Sequence, residues 1–425
     1  MSLARAVQTI FIFLLVAGLL SGSAFAGGYA IPPQTAKATT LGNAVTAGID
    51  DPSAVYINPA GLAQIEGNEV LGDLNYINNI SDVTNSGRRS SNQKDDNFIP
   101  TLFANYHIPG TDLTAGLGLY APFGLSVSYD PNSFTRFASI QTKLKAFYIT
   151  PSIAWQPLPY LSLGGGVSFV HSSAVLSQAV YLGGPEGKLR ITDSDDAFAY
   201  NLGIIVKPID QIKLGLTYRS RVNLGFNNAD VTFFDSPITG GAATLSRASG
   251  VHVPLPPVIS AGINWMINPR WSVEFAYDYT RWSEFQSLNA RFNPFLPALG
   301  GAVPIPGFIL PENWKNTSTL RFGSAYQLLE SLQLRGGMIL DQTPVPSRTL
   351  GPGIPGADWL AITGGIGYNW RQFTVDLGYM AVFYKTRTVN NTVLEGGNPS
   401  NPVAPGPDKY HTFQNLVLIS VKYRF

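Results

Sequence analysis

The chain has 425 residues, a formal net charge of +1 and no cysteine, so disulfide and thiol chemistry are excluded. Charged residues make up 13%, about half the usual share of a soluble domain, while aromatics reach 12% and glycine numbers 43. A near-neutral balance argues against a nucleic-acid partner, and low charge with abundant aromatic and glycine residues suits a wall that faces lipid.

Residues 1–26 read as a secretory signal. Arg5 supplies the positive start, residues 10–20 form an apolar core too short to span a bilayer, and Ala24-Phe25-Ala26 is a small-x-small cleavage site. The mature chain is expected to begin at Gly27. Residues 27–66 then form a distinct unit. The stretch is rich in Gly, Ala, Ser and Thr, lacks strand alternation, is broken at Pro32, Pro33, Pro52 and Pro59, and carries acid only at Asp50, Asp51 and Glu66. It reads either as a lead-in to a first strand or as a compact plug of small side chains inside something hollow.

From Gly67 onward the pattern has period two. Trp271, Val273, Phe275, Tyr277 and Tyr279 alternate with small or polar residues, as do Phe198 to Val206, Leu332 to Met338, Phe373 to Tyr379 and the aromatic-ended run from Thr412 to Phe425. One greasy face and one polar face along runs of ten or more residues is the pattern of an outer-membrane strand. No later segment has the apolar length of a membrane helix, so a membrane protein of this sequence must be a closed barrel, because lipid satisfies no backbone polar group. Short turns are predicted near Pro109, Pro157, Pro208, Asn268, Leu329 and Trp370. Long loops are predicted over 80–96, 123–139, 181–196, 228–250, 293–312, 342–358 and 388–410. Six turns between seven loops give about fourteen antiparallel strands over residues 67–425, with both termini on the periplasmic side. A barrel of that width approaches the size that leaves an open channel, which favours the plug reading of residues 27–66.

Within the third strand, Pro122 removes a ladder donor and Gly124 permits a bulge, so Ala121, Pro122, Phe123 and Gly124 predict an interruption of the wall. In the plug, Asn58-Pro59-Ala60 predicts an anchor: the Asn amide can tie into exposed backbone and the proline fixes the chain direction. Gly164 to Gly166 and Gly364 to Gly367 lack the strand-turn-helix context of a phosphate loop and read as inner-wall glycines that make room for the plug. Pro254, Pro256 and Pro257 are expected to mark where the eighth strand leaves its ladder. Asp193, Asp195 and Asp196 read as a solvated loop face. The scattered histidines come with no convergent Ser and acid, so a lipid-acting barrel enzyme is disfavoured. An adhesin or receptor built on the long loops is permitted by their Pro and Gly content without being favoured. No cofactor and no metal site are expected.

The order Leu41-Gly42-Asn43-Ala44, Asp50-Asp51, Asn58-Pro59-Ala60, then Tyr120 to Leu125, Tyr279 to Leu288, and Asp341 to Pro346 with Asp358-Trp359, resembles the FadL family of outer-membrane long-chain fatty acid transporters. That family includes relatives for aromatic hydrocarbons. The resemblance implies a fourteen-stranded barrel, an apolar pocket under the extracellular loops, sideways release at the third-strand kink, and a hydrophobic cargo, most directly a long-chain fatty acid. Uptake of monoaromatic hydrocarbons by the same route is the alternative. The family's third mature residue is a Phe that reaches into the pocket; here that position is Tyr29. Of the basic pair implied for a carboxylate, Lys315 fits one member, while the other falls at Ser172 or Ser173 after His171. The remaining implied partner is outer-membrane lipid around a monomer.

Overall fold

The computed structural model describes residues 28–93, 97–181, 186–234, 244–292, 308–395 and 407–425. The expected signal segment, residues 1–26, lies outside these. Fourteen wall strands follow in chain order: β1 (Glu69–Asn85), β2 (Asn97–His107), β3 (Leu113–Ser128), β4 (Gln141–Leu158), β5 (Leu161–Tyr181), β6 (Glu186–Ile209), β7 (Ile212–Arg219), β8 (Val258–Asn268), β9 (Trp271–Thr280), β10 (Thr317–Leu329), β11 (Leu332–Asp341), β12 (Trp359–Trp370), β13 (Phe373–Tyr384) and β14 (Asp408–Arg424). Each pairs antiparallel with the next. The wall closes where β14 pairs with β1, from Glu69↔Arg424 to Thr84↔Lys409. Closure removes the sheet edges that lipid could not satisfy.

The period-two pattern sets which face meets lipid. Along β9, Trp271, Phe275 and Tyr277 are exposed, while Glu274, Ala276 and Asp278 are buried. Along β13, Leu377, Tyr379 and Phe383 are exposed, while Asp376, Met380 and Val382 are buried. The predicted turns at Pro157, Pro208, Asn268, Leu329 and Trp370 all join adjacent strands.

Several loop expectations are corrected: β1 runs on to Asn85 and the strand Arg88–Ser91 follows within the span 80–96, and β3 runs on to Ser128 within 123–139. Most of the span read as a loop over 181–196 is strand, because β5 and β6 remain paired up to Tyr181↔Glu186. Above the lipid the apolar face has nothing to match, so the alternation that marks a strand fades while the ladder continues. Asp193, Asp195 and Asp196 therefore sit on β6 rather than on a loop. Asp195 accepts the Gly225 N–H at 2.7 Å, and Asp196 faces the His171 ring at 2.7 Å. The span 228–250 likewise contains the strand Ala229–Phe234, which pairs with β6. Of the prolines before the eighth strand, Pro256 and Pro257 separate the short strand Val251–Leu255 from β8, whereas Pro254 lies inside that short strand, opposite Asn223.

Residues 28–65 form no wall strand. They contain the short helix Ala36–Thr40, capped by the Thr35 hydroxyl, the turn of helix Ala54–Ile57, and the 3-10 helix Pro59–Gln64. Their partners lie on strands all around the wall, which places the segment in the lumen. Asp73 on β1 accepts the Ala36 N–H at 2.9 Å. Glu274 on β9, across the barrel, accepts the Ala47 and Gly48 N–H groups at 2.7 and 2.9 Å. Thr363 on β12 donates to Thr40 O, and Asn201 on β6 donates to Val55 O. Inner-wall glycines allow the approach: a Cβ on Gly164 would overlap the Pro59 carbonyl, and one on Gly365 would overlap Thr40. Gly165 instead faces the Leu202 side chain, so only part of each glycine run serves the contact.

Candidate functional site

The site is built where β3 leaves β2. Pairing between them runs from His107↔Thr114 to Leu102↔Leu119 and stops. β2 stays on β1 as far as Ile77↔Asn97. The edge of residues 97–101 therefore has no β3 partner. On the other side β3 stays on β4, with a register shift between Tyr120 and Phe123. The predicted interruption at residues 121–124 lies at this bulge.

The luminal segment fills the vacated pairing. Ala30 bridges Phe123, Ile31 N–H donates to Pro122 O at 2.7 Å, and Gly124 N–H donates to Tyr29 O at 2.8 Å. Gln34 completes the seam. Its side-chain amide accepts from Ala121 N and donates to Ala121 O, both at 3.1 Å, and its own main-chain oxygen accepts the Thr101 hydroxyl at 2.8 Å. One glutamine thus stands in for a ladder residue between two separated strands. Behind it, Ile31, Ile77, Ile99 and Ala121 belong to one buried apolar cluster. The sequence pointed to the kink but not to Gln34: its amide also donates to Ile31 O at 2.7 Å, but its partners on the two strands are 67 and 87 residues away.

Above the seam lies a cavity of about 790 Å³. Its wall is mostly apolar, with Leu125, Phe137, Leu144, Phe226 and Val253 among the lining residues, and Lys143, Asp193, Glu312 and Arg348 supply the charge. A few polar groups on an apolar wall is the usual composition of a small-molecule pocket. Tyr29 forms part of the floor. Its ring packs edge-on to Trp282 at 4.8 Å and Phe285 at 6.0 Å, lies 5.5 Å from Trp314, and its hydroxyl donates to Pro254 O. Gly28 precedes it at φ +72, and a Cβ there would overlap both Trp282 and Trp314, so the chain can thread this aromatic cluster only with glycine. Beneath the cluster is a smaller pocket of about 70 Å³, bordered by Pro122, Phe123 and Trp282 on one side and by Arg219 and the Arg321–Asp278 ion pair on another.

Glu312 sits at the cavity edge, above the membrane wall. Burial pushes its carboxyl up to about 7, against the opposing effect of the Trp314 indole, which donates to it at 2.9 Å. Lys315 is exposed and absent from the cavity lining; its backbone N–H donates to Pro344 O. Asn313 adopts φ +51 and Trp314 turns inward, so the next side chain points out. Ser172 is buried and donates to Asp195 O at 2.9 Å, again away from the lining residues. The cations that do reach the cavity are Lys143 and Arg348, which the sequence did not single out.

Asn58 joins the luminal segment to the wall. Its amide donates to Thr46 O at 2.8 Å and to Ile204 O on β6 at 3.3 Å, and its oxygen accepts Ala60 N–H at 3.2 Å. Pro59 opens the 3-10 helix that follows, and both Pro59 and Ala60 are buried. Among the described residues, no group of His, Cys, Asp and Glu could hold a metal ion.

The chain has known relatives in sequence and in fold. The chain is 22% identical to a putative outer membrane protein of Neisseria meningitidis serogroup B, covering 97% of this chain and 98% of that one. It is 23% identical to a long-chain fatty acid transport protein of Escherichia coli O6:H1, over 77% of this chain and 80% of the relative. In fold it is similar to a Pseudomonas aeruginosa FadL homologue, with a TM-score of 0.76, 20% identity, and coverage of 94% and 100%. It is also similar to the P. putida toluene transporter TodX, with a TM-score of 0.72, 18% identity, and coverage of 96% and 99%. Residues 17–425 match the model of the outer membrane protein transport protein family (OMPP1/FadL/TodX), whose members are transporters rather than enzymes. The chain belongs to that family and is an outer-membrane β-barrel that transports hydrophobic compounds.

Proposed function

We propose that this protein takes up long-chain fatty acids, binding them in the 790 Å³ cavity and releasing them sideways into the membrane through the β2–β3 seam. The observation that carries the route is the seam itself. A wall that should be continuously hydrogen-bonded is interrupted where Tyr29–Ile31 and Gln34, which are not part of the wall, fill the missing pairing. Burying a CH₂ group is worth roughly 0.8 kcal/mol, so a long acyl chain gains by passing from an apolar cavity directly to lipid. Displacement of residues 29–34 would open the seam beside the apolar cluster of Ile31, Ile77, Ile99 and Ala121. In this reading Ala121, Pro122, Phe123 and Gly124 form the lateral gate, and Tyr29 couples ligand in the cavity to the seam.

The cargo follows from the charges on the cavity wall. Lys143 and Arg348 line the mostly apolar chamber together with Asp193 and Glu312, and in this reading the two cations receive an anionic head whose chain lies on the apolar wall. Monoaromatic hydrocarbons are the second reading, favoured by the fold likeness to a toluene transporter. Binding of oleate, methyl oleate and toluene to refolded protein separates the two. Replacing Lys143 and Arg348 together with alanine is expected to weaken oleate about tenfold, the effect of losing about 1.4 kcal/mol, and to spare methyl oleate. Equal loss for both ligands, or for neither, would remove the head-group assignment. Lys315→Ala is expected to leave both unchanged.

Glu312 adds a pH dependence. A carboxyl raised from 4.5 to about 7 is stabilised in its neutral form, so the folded chain loses stability as pH rises from about 4.5 to 7. Over the upper part of that window the cavity also gains a negative charge. Wild-type affinity for oleate, measured against the Glu312→Gln variant at each pH, is expected to fall several-fold between pH 6 and 8. A constant ratio between the two proteins would show that Glu312 does not face the ligand.

A further inference from the structure

The outer face of the barrel carries a second feature, away from the cavity, where β13, β14 and β1 meet the extracellular rim. The last lipid-facing row there is Phe383–Phe413–Ile80, in cross-strand register, with the two phenyl rings 5.3 Å apart and Phe383 and Ile80 exposed. Two residues higher on the same face of β14 stands His411, exposed, and two above it Lys409, also exposed, while Asp408, Tyr410 and Thr412 between them are buried. Thr386 meets the His411 ring at 3.2 Å, and exposed Lys385 immediately precedes it. On the β1 side, Lys409 pairs with Thr84, and Thr84 pairs with Arg89 of the hairpin strand Arg88–Ser91. Lys409 and Arg89 therefore flank Thr84 two strand spacings apart, about 10 Å.

The acids near these cations are accounted for. Asp82 is buried and held by Arg89 and Ser91, both at 2.6 Å. Asp408 turns inward to Asn85, and Asp358 accepts Thr343 N–H. Among the described residues, neither Lys385 nor Lys409 makes an ion pair. Two other sectors of the rim differ: Glu284 sits between Arg221 and Arg281, and Asp196 faces His171. In the β13–β14–β1 sector Lys385 and Lys409 thus present positive charge without an acid partner above a greasy row, while Asp82, opposite His411, offsets the charge of Arg89.

We propose that this surface binds the phosphorylated headgroup of an outer-leaflet glycolipid. Its acyl chains lie on Phe383, Phe413 and Ile80, and its phosphate is held by Lys385 and Lys409, with Thr386, His411 and the N–H groups of Arg89 that Asp82 does not take offering further hydrogen bonds. A basic cluster at the membrane surface attracts anionic lipid, and the apolar row beneath supplies the contact that a free anion lacks.

The test is native mass spectrometry of the full mature chain titrated with lipid A bisphosphate, with enzymatically dephosphorylated lipid A, and with inorganic phosphate. Wild type is expected to retain the bisphosphate lipid in preference to the other two. The pair Lys385→Glu/Lys409→Glu is expected to lower that affinity at least about tenfold, and Lys385→Gln/Lys409→Gln by an intermediate factor, as expected when a charge-assisted contact is lost. Lys207→Glu, at the periplasmic end of β6, should change nothing. Heat-modifiable migration on gels confirms that each barrel is folded. Undiminished binding by folded Gln or Glu pairs, equal binding of dephosphorylated lipid, or inorganic phosphate binding as tightly as the lipid would each overturn the proposal.

Discussion

Replacing Ala121 with tryptophan is expected to cut uptake of a long-chain fatty acid about tenfold or more, the factor that 1.4 kcal/mol of added barrier produces. Ala121 is buried, belongs to the same apolar cluster as Ile31, Ile77 and Ile99, and has both backbone polar groups bonded to the Gln34 amide. An indole there would fill the space that opens when Gln34 leaves. Gly124→Arg should act in the same way, since its backbone N–H donates to Tyr29 O at the same seam. The cavity above is not lined by either residue, so oleate binding should stay near normal while transport fails. Uptake by cells, with surface levels matched by heat-modifiable migration, reads the outcome. Normal uptake in a stably inserted Ala121→Trp protein would mean that the cargo leaves elsewhere, most directly past the luminal segment.

Deleting residues 27–64 behind an intact leader is expected to give a barrel that inserts and conducts ions, with conductance raised roughly tenfold or more over the intact chain, as a wall approaching sixteen strands leaves a water-filled lumen. The fourteen-stranded wall holds residues 28–65 by contacts on opposite sides, Asp73 on β1 and Glu274 on β9, and by Asn58, whose amide reaches both Thr46 O and Ile204 O. A graded variant tests the same point. Asn58→Ala removes those bonds and leaves buried carbonyls unpaired, a loss of about 1–3 kcal/mol, so it should show intermittent openings rather than a permanent pore. Planar-bilayer recordings distinguish the three proteins. A deletion variant as silent as wild type would show that the segment is not what closes the lumen.

The sequence by itself determined the wall. Period two over more than ten residues, with Trp271, Phe275 and Tyr277 on one side and Glu274 and Asp278 on the other, is a local property, because strand side chains alternate whatever the neighbours are. The even strand number followed from turn and loop spacing, and the kink at residues 121–124 followed from Pro122 and Gly124, whose effects on a ladder are also local. The alternation failed above the membrane, at 181–196, because no apolar face is needed there. What only the tertiary structure decided is which residues meet in the lumen. Gln34 bonds residues 67 and 87 positions away, and Glu274, read along β9 as one more polar position, accepts two N–H groups from a segment more than 220 residues earlier. Lys143 reaches the cavity from strand β4, whereas Lys315 left it for the same reason that Arg348 entered it. The path of a loop over a barrel rim is set by packing around Trp314 and the aromatic cluster at Tyr29, and no spacing in the sequence carries it.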